Sequence, residues 1–296
     1  MIYVIGAIAV DLIAFKERFI AGTSNPARIR YSPGGVGYRI FHYLQTEKCF
    51  ITALGSDPFS GWINNLLSRE REVKILNSKA YNSACYLALM ESGRLKYGAA
   101  DMRVIEEGLT FDFVVSALQR VKLEDFLVLE ANLAPGLAAE IVEYYSEKCR
   151  LVFESVSCEK VLRHGSNLKG LYLFAANREE MSFLLSGGRA DTGKEVSESE
   201  TRPAYELTDE LILSFLEQRK IKNIIVTSGS SGVSLYKSNQ RLDYPPQSIV
   251  KASDTTGAGD RFLSMLLSGL ARGSRLEVEV PAAMRKVEKA LAEGNL

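Results

Sequence analysis

The chain has 296 residues, 46% of them hydrophobic and 24% charged, which is enough for a large core built as one α/β domain or as a core with a small appendage. Its 36 basic and 36 acidic residues balance, so neither nucleic-acid nor anionic-membrane binding is supported as the main task. Cys49, Cys85, Cys149 and Cys158 lie far apart with no Cys-x-x-Cys pair; a disulfide framework and a zinc site are both unexpected, and a reducing cytoplasm fits best.

The apolar opening, residues 1–9, has no positive leader region and meets Asp11 too soon for a signal peptide or a spanning helix. Residues 2–6 are expected to form the first core strand. Short β-prone pieces at 12–31 and 73–100 then interrupt a strand-helix alternation, and are expected to fold together as a separate small sheet. Between them, 37–46 and 61–71 read as helices around a strand at 50–54. From Asp125 onward the alternation is clear. Strands are expected at 126–129, 151–153, 171–175 and 223–227, and helices at 135–148, 178–185 and 208–220. Short apolar strands separated by amphipathic helices imply a parallel sheet covered on both faces, with ligands gathering at the carboxyl ends of the strands. Gly6, Asn132, Asn177, Ser228 and Gly257 each follow a strand or open a helix, at that edge. Residues 186–205 form the most polar stretch and are expected to be a mobile surface loop. A strand is expected at 233–236, a polar, turn-prone segment at 241–253, and a last helix at 280–292.

The run Asp254-Thr255-Thr256-Gly257-Ala258-Gly259-Asp260-Arg261-Phe262 precedes Leu263, Leu266, Leu267 and Leu270 at helical spacing, so its glycines should sit where a helix begins. Backbone N–H groups are free there, and with the positive end of the helix dipole they make a cradle for phosphate oxygens. Asp260 falls in the first helical turn beside that cradle, the position for a general base acting on an acceptor hydroxyl. The simpler reading is a tight loop, with Asp260 as a dipole partner.

The whole nonapeptide resembles the C-terminal signature of the PfkB-type carbohydrate kinases, which have the ribokinase-like fold. The resemblance implies a three-layer α/β sandwich with a mostly parallel central sheet and a small β lid. It implies a core of residues 1–10, 33–72 and 102–296, and a lid of 11–32 and 73–101 over the substrate site. In that family ATP is the phosphoryl donor; Asp260 would be the catalytic base and the amides of Thr256, Gly257, Ala258 and Gly259 the anion hole. Ser32-Pro33-Gly34-Gly35-Val36-Gly37 with Asp11 resembles the family's N-terminal motif, making Asp11, Gly34 and Gly35 substrate-binding candidates. Asn177-Arg178-Glu179-Glu180 resembles its Asn-x-x-Glu motif, so that Asn177 and Glu180 would organise Mg2+ and its waters. Magnesium keeps much of its water shell, which suits such indirect anchoring. Thr227-Ser228-Gly229-Ser230-Ser231-Gly232 looks like the nucleotide-site turn, giving Thr227, Gly229 and Gly232 as ATP neighbours, with a plain hairpin turn as the alternative. Gly55 to Gly61 also matches a family segment, but a turn capped by Asp57 accounts for it.

The strings at 22–36, which include Asn25, and at 83–102 resemble those of pseudouridine kinases within the family. They fall in the lid and so bear on substrate choice. One departure stands out: the position where the family places an Asn after the di-glycine is Arg39, whose long five-donor arm cannot copy a short amide. Arg39 would suit an acceptor carrying an anionic group, or would turn away. His42, His164 and Trp62 read as ordinary core or solvated residues. Neither a P-loop nor a Gly-x-Gly-x2-Gly run occurs, and the family's Gly-Ala loop bordering adenine has no match before Leu296.

The expected activity is therefore ATP- and Mg2+-dependent phosphorylation of a primary hydroxyl on a pseudouridine-like nucleoside. A kinase of a free sugar or sugar acid is the alternative within the family, and a non-catalytic nucleoside- or sugar-binding regulatory protein the alternative outside it. Lid sheets in the family pair between subunits, which makes a homodimer through the lid a further expectation.

Overall fold

Every side chain of the strand Ile2–Ile5 is buried, because this strand lies inside a sheet whose two faces are both covered. Ile2 and Val4 enter one apolar core, Tyr3 and Ile5 the other, following the two-residue alternation of a strand. The computed structural model describes residues 1–165, 168–188, 206–248, 250 and 255–294. In chain order the strands are β1 (Ile2–Ile5), β2 (Ala9–Lys16), β3 (Arg28–Gly34), β4 (Lys48–Leu54), β5 (Val73–Asn77), β6 (Ala84–Glu91), β7 (Arg94–Asp101), β8 (Phe126–Glu130), β9 (Arg150–Glu154), β10 (Leu173–Asn177), β11 (Asn223–Thr227), β12 (Val233–Lys237) and β13 (Gln240–Tyr244). The helices are α1 (Val36–Tyr43), α2 (Pro58–Leu67), α3 (Arg103–Glu106), α4 (Phe111–Ala117), α5 (Pro135–Tyr145), α6 (Cys158–Arg163), α7 (Arg178–Leu185), α8 (Asp209–Gln218), α9 (Ala258–Ala271) and α10 (Leu276–Glu293).

Nine strands form the main sheet in the order β13-β12-β11-β10-β9-β8-β1-β4-β5, parallel from β11 through β5 and antiparallel at the β12 and β13 edge. Helices α1, α2, α9 and α10 bury their apolar sides in one core, and α3 to α8 in the other. This is the expected three-layer arrangement. Two expectations change. The piece beginning at Val73 pairs with β4 in the main sheet, so the small sheet takes only β6 and β7 from the second insert. Residues 241–244, the start of the segment expected to be turn-prone, extend the sheet because β13 pairs along the whole of β12. The segment expected to be a mobile loop lies outside the described residues from 189 to 205, as does Asp254 of the nonapeptide. All four cysteines are free thiols, and no described helix is long and apolar enough to cross a membrane.

The second sheet, ordered β3-β2-β6-β7, rises from the carboxyl edge of β1. Asp57 caps α2 by accepting from the Phe59 amide at 2.8 Å, and also accepts from the Ser83 amide just before β6. Trp62 on α2 meets Tyr31 of β3 edge to face, 6.0 Å between ring centroids. One face of the small sheet carries Asp11 and Tyr86. Its other face carries Ile29, Tyr31, Leu87 and Tyr97, all exposed.

Two tight contacts fix the carboxyl edge of β1. A Cβ on Gly37 would lie 2.8 Å from the Gly6 Cα, so α1 packs backbone to backbone against the end of β1, and the Tyr38 amide donates to the Ala7 carbonyl at 3.0 Å. Beside them, fully enclosed Glu130 accepts from the Ala7 amide at 2.7 Å and from the Asn132 side chain. Burial pushes its carboxyl up to about 7, against the Ala7 N–H and the Lys160 ammonium, which favour the charged form.

Replacing Gly37 with Ala forces backbone apart and should destabilise the fold by about 1–3 kcal/mol in urea titration. The Glu130 carboxyl keeps its proton in the folded state up to about pH 7, whereas its ordinary value is 4.5. Folded protein therefore binds the extra proton between these values, and stability falls as pH rises through that window, by up to about 3 kcal/mol. Glu130→Gln should remove this slope, so that the variant gains on the parent between pH 4 and pH 8.

Candidate active site

Helix α9 begins where the sequence places the glycine turn. Gly257 caps it in the left-handed conformation, φ 84°, which a residue with a Cβ rarely adopts. The next amides belong to the first turn and have no partner inside the helix. Ten residues of α9, from Asp260 through Leu270, are buried. Ser264 donates to the Ile40 carbonyl at 2.9 Å, fixing α9 on α1. The apolar stripe thus presses the helix onto the sheet and delivers Asp260 to the carboxyl edge at 8% exposure.

Asp260 faces Arg39. One guanidinium nitrogen, Nη1, is 3.7 Å from the Asp260 Oδ2, and the other, Nη2, is 2.6 Å from Oδ2 of Asp11 on β2. Arg39 therefore neither turns away nor stands open; it bridges two buried carboxylates from the small sheet and from α9. The di-glycine makes this possible. A Cβ on Gly34 would overlap the Asp11 carboxyl, and one on Gly35, at φ 93°, would lie 2.5 Å from the Ala7 carbonyl oxygen. Burial raises the Asp260 carboxyl to about 6, with Arg39 opposing and the nearby Glu180 and Asp11 charges adding to the rise. Asp11 is also raised by burial, against Arg39.

Behind this bridge stands a group of carboxylates at the ends of β8, β9 and β10. Glu180 is spent in part on a capping box: Asn177 Oδ1 accepts from the Glu180 amide and Glu180 Oε2 from the Asn177 amide, both at 2.9 Å. The same oxygen accepts from the Ser155 hydroxyl. Glu154, enclosed at the end of β9, is held well above the usual carboxylate range by burial and by the charges of Asp260, Glu180 and Glu130. Such crowding of negative charge suits a cation. Among the described residues no group of three or more His, Cys, Asp or Glu is arranged to chelate one. An ion held through water needs only one or two oxygen ligands, the habit of magnesium, and Asn177 and Glu180 are oxygen-bearing side chains at this edge.

On the donor side, Thr227 ends β11 directly beside Asn177, its register partner on β10. Gly229, φ 53°, opens a single tight turn with free space where a Cβ would be, and Gly259 likewise has open space. Gly232 has a structural reason of its own: a Cβ there would overlap the Tyr244 carbonyl of β13, so the hairpin alone requires it. Thr256 stands between the glycine turn and Thr255 at the start of α9. Asn25 lies beyond the Phe15–Arg28 pair that closes the β2–β3 hairpin, and its amide is used locally with Ile20 and Thr23; the structure does not bring it to the Asp11–Arg39–Asp260 bridge. His164 is fully buried and packs on Phe153, whereas His42 is exposed and stacks on Tyr38, the ordinary core and solvated roles expected of them.

The sequence reading passed over Glu130, Glu154, Ser155 and Lys160. A signal was available: Glu130 ends the otherwise apolar strand Phe126–Glu130, and Glu154 follows the apolar run 151–153, and a charge on a buried strand's carboxyl end points at the ligand edge.

Comparison with known proteins agrees with this geometry. Residues 154–284 match the pfkB family carbohydrate kinase. The chain is 21% identical to the pseudouridine kinase of Escherichia coli K12, over 90% of this chain and 82% of that protein. It is 26% identical to the probable fructokinase-5 of Arabidopsis thaliana, over 89% and 80% respectively. Ribokinase from Thermotoga maritima superposes with a TM-score of 0.77 at 18% identity, covering 98% of this chain and 92% of that one. PfkB family kinases are phosphotransferases acting on sugar or nucleoside hydroxyls; in this chain the likeness to them runs over residues 154–284 and sits on a ribokinase-like fold.

Proposed function

We propose that the chain is an ATP- and magnesium-dependent kinase that phosphorylates a primary hydroxyl of a pseudouridine-like nucleoside, with Asp260 as general base. The observation that carries this reading is the buried Asp260 in the first turn of α9, beside the left-handed Gly257 and linked through Arg39 to Asp11. Asp11, with Gly34 and Gly35 behind it, would hold acceptor hydroxyls beneath the small sheet, which acts as the lid. The acceptor oxygen attacks the γ-phosphorus, its proton passes to a carboxylate oxygen of Asp260, and the bond to the bridging oxygen of ADP breaks. Amides of Thr256, Gly257, Ala258 and Gly259 would receive the charge on the group in transit. Thr227, Gly229 and Gly232 would border the nucleotide. A bound magnesium ion, held through water by Asn177 and Glu180, would neutralise charge on the donor phosphates.

The neutral nucleoside is favoured over a sugar acid by the state of Arg39. Asp11 and Asp260 flank its guanidinium on both sides, so a carboxylate fixed on the acceptor would rest against both of them throughout binding. A neutral free sugar is the second reading, supported by the likeness to a fructokinase. The exposed apolar face of Ile29, Tyr31, Leu87 and Tyr97 on the lid supports pairing of two lids in a homodimer. Free thiols throughout fit a cytoplasmic site of action.

ADP release from MgATP should be seen with pseudouridine in a panel that also holds uridine, ribose, fructose and sugar acids. Asp260→Asn should lower kcat by about 100- to 10000-fold. Turnover on fructose or ribose alone would replace the nucleoside reading, and heat stabilisation by nucleoside with no turnover anywhere would point to a binding protein. Because Asp260 must be ionised to take a proton and its carboxyl lies near 6, kcat/KM should fall about tenfold per pH unit below pH 6 and level off above it. In sedimentation velocity the parent should run as a dimer and the double variant Tyr31→Asp, Tyr97→Asp as a monomer; an unchanged dimer would remove the lid from the interface.

A further inference from the structure

Two side chains converge where Gly257 lacks one. From the position of a Cβ built on Gly257, the Arg39 Cδ lies at 3.4 Å, the Arg39 Nε at 3.9 Å and the Asp260 Oδ2 at 3.9 Å. Arg39 therefore does more than reach Asp11. Its stem crosses the lip of the amide turn, and its guanidinium ends beside the carboxylate to which an acceptor hydroxyl must be bound.

The charges make this placement consequential. Asp260 is surrounded by Asp11 from β2, Glu180 from α7, Glu154 from β9 and Arg39 from α1. A phosphoryl group moving from ADP towards a hydroxyl on Asp260 carries negative charge into a pocket already rich in carboxylates. A positive charge on the acceptor side offsets that repulsion, and among the described residues Arg39 is the cation in ion-pair contact with Asp260. It retains donors for the purpose. Nη2 is taken by Asp11 at 2.6 Å, and Nε has no hydrogen bond among the described residues. The side chain is 24% exposed, so it is reachable from the acceptor space. Guanidinium presents several donors in one plane, a match for the equatorial oxygens of a phosphoryl group in transit.

The geometry points to Arg39 as a catalytic residue that contacts the transferring phosphoryl group from the acceptor side, within the chain, in the manner of an arginine supplied to other phosphoryl transfers. This rests on the proposed kinase activity with Asp260 as base. It adds no step to that chemistry: the same P–O bond forms, the same bond to ADP breaks, and the proton still goes to Asp260. Arg39 stabilises the charge between those events and then pairs with the new phosphomonoester, while Asp11 keeps its hold on Nη2.

Two kinds of measurement test this. With the acceptor found in the panel, Arg39→Gln should lower kcat about 100-fold or more with a smaller change in the acceptor KM, and Arg39→Lys should recover part of the loss. With no acceptor present, MgADP with aluminium fluoride, which stands in for the phosphoryl group in transit, should raise the melting temperature of the parent beyond MgADP alone. Arg39→Gln should lose that increment and keep the MgADP shift. The inference is overturned if Arg39→Gln, or an Arg39→Asn variant, keeps the parent kcat and changes only the acceptor KM, which is the mark of a positioning residue. It is also overturned if the aluminium fluoride increment survives in Arg39→Gln or is absent from the parent. If the parent turns over no acceptor yet loses the increment with Arg39, the substrate reading fails while the role of Arg39 stands.

Discussion

The candidate site depends on one ion bridge, Asp11–Arg39–Asp260, which joins three parts of the chain far apart in sequence: β2 of the small sheet, α1 on the main sheet, and the first turn of α9. Two buried carboxylates could not sit at one strand edge without such a partner, because removing like charges from water and setting them near one another is doubly unfavourable. With Arg39 between them the pair becomes tolerable, and its energetic weight rests on the cation being held by both. The small sheet is thereby coupled to the carboxyl edge of the main sheet through a charge as well as through the Asp57 and Trp62 contacts.

Glycines create the room for that bridge. Gly6 and Gly37 let α1 meet β1 backbone to backbone, Gly34 gives the Asp11 carboxyl its place, and Gly35 passes under the Ala7 carbonyl. Each makes the next possible: only with α1 this close to β1 does a side chain at position 39 span from the small sheet to α9. The same density that excludes side chains excludes water, and a drier pocket strengthens every charge within it. The raised carboxyls of Asp260, Glu154 and Glu130 are the measure of that enclosure.

A kinase needs acceptor, donor and base on one edge, and the parallel sheet supplies it. At the ends of β8 to β11, Glu130 pairs in register with Glu154 and Asn177 with Thr227, the second pair lying two residues beyond Ala175, the partner of Glu154; the polar groups stand above an apolar interior. The middle residues of these four strands are all buried. Function is confined to their last residues, where the chain leaves the sheet and its backbone groups are free to meet a ligand.

Much of the architecture was written in local pattern. Apolar runs of four to five residues alternating with amphipathic helices specify a covered parallel sheet, and the glycines of 254–262 before a leucine stripe specify the start of α9, since both depend on periodicities of 2 and 3.6 that neighbours in sequence determine. Asp260, Gly257 and the capping pair Asn177 and Glu180 were legible for the same reason. Pairing between distant segments was not. Whether residues 73–77 join the main sheet or the small one, and whether 240–244 extend a hairpin, depends on which strand edges are left open once the core has formed. Nor did sequence decide where Arg39 points: an arginine after a di-glycine is compatible with an open cation, a solvated one or a bridge. Only the tertiary structure, by bringing Asp11 and Asp260 to either side of a guanidinium on a third element, decided that it is a bridge, because a long charged side chain goes where burial has left opposite charges unpaired.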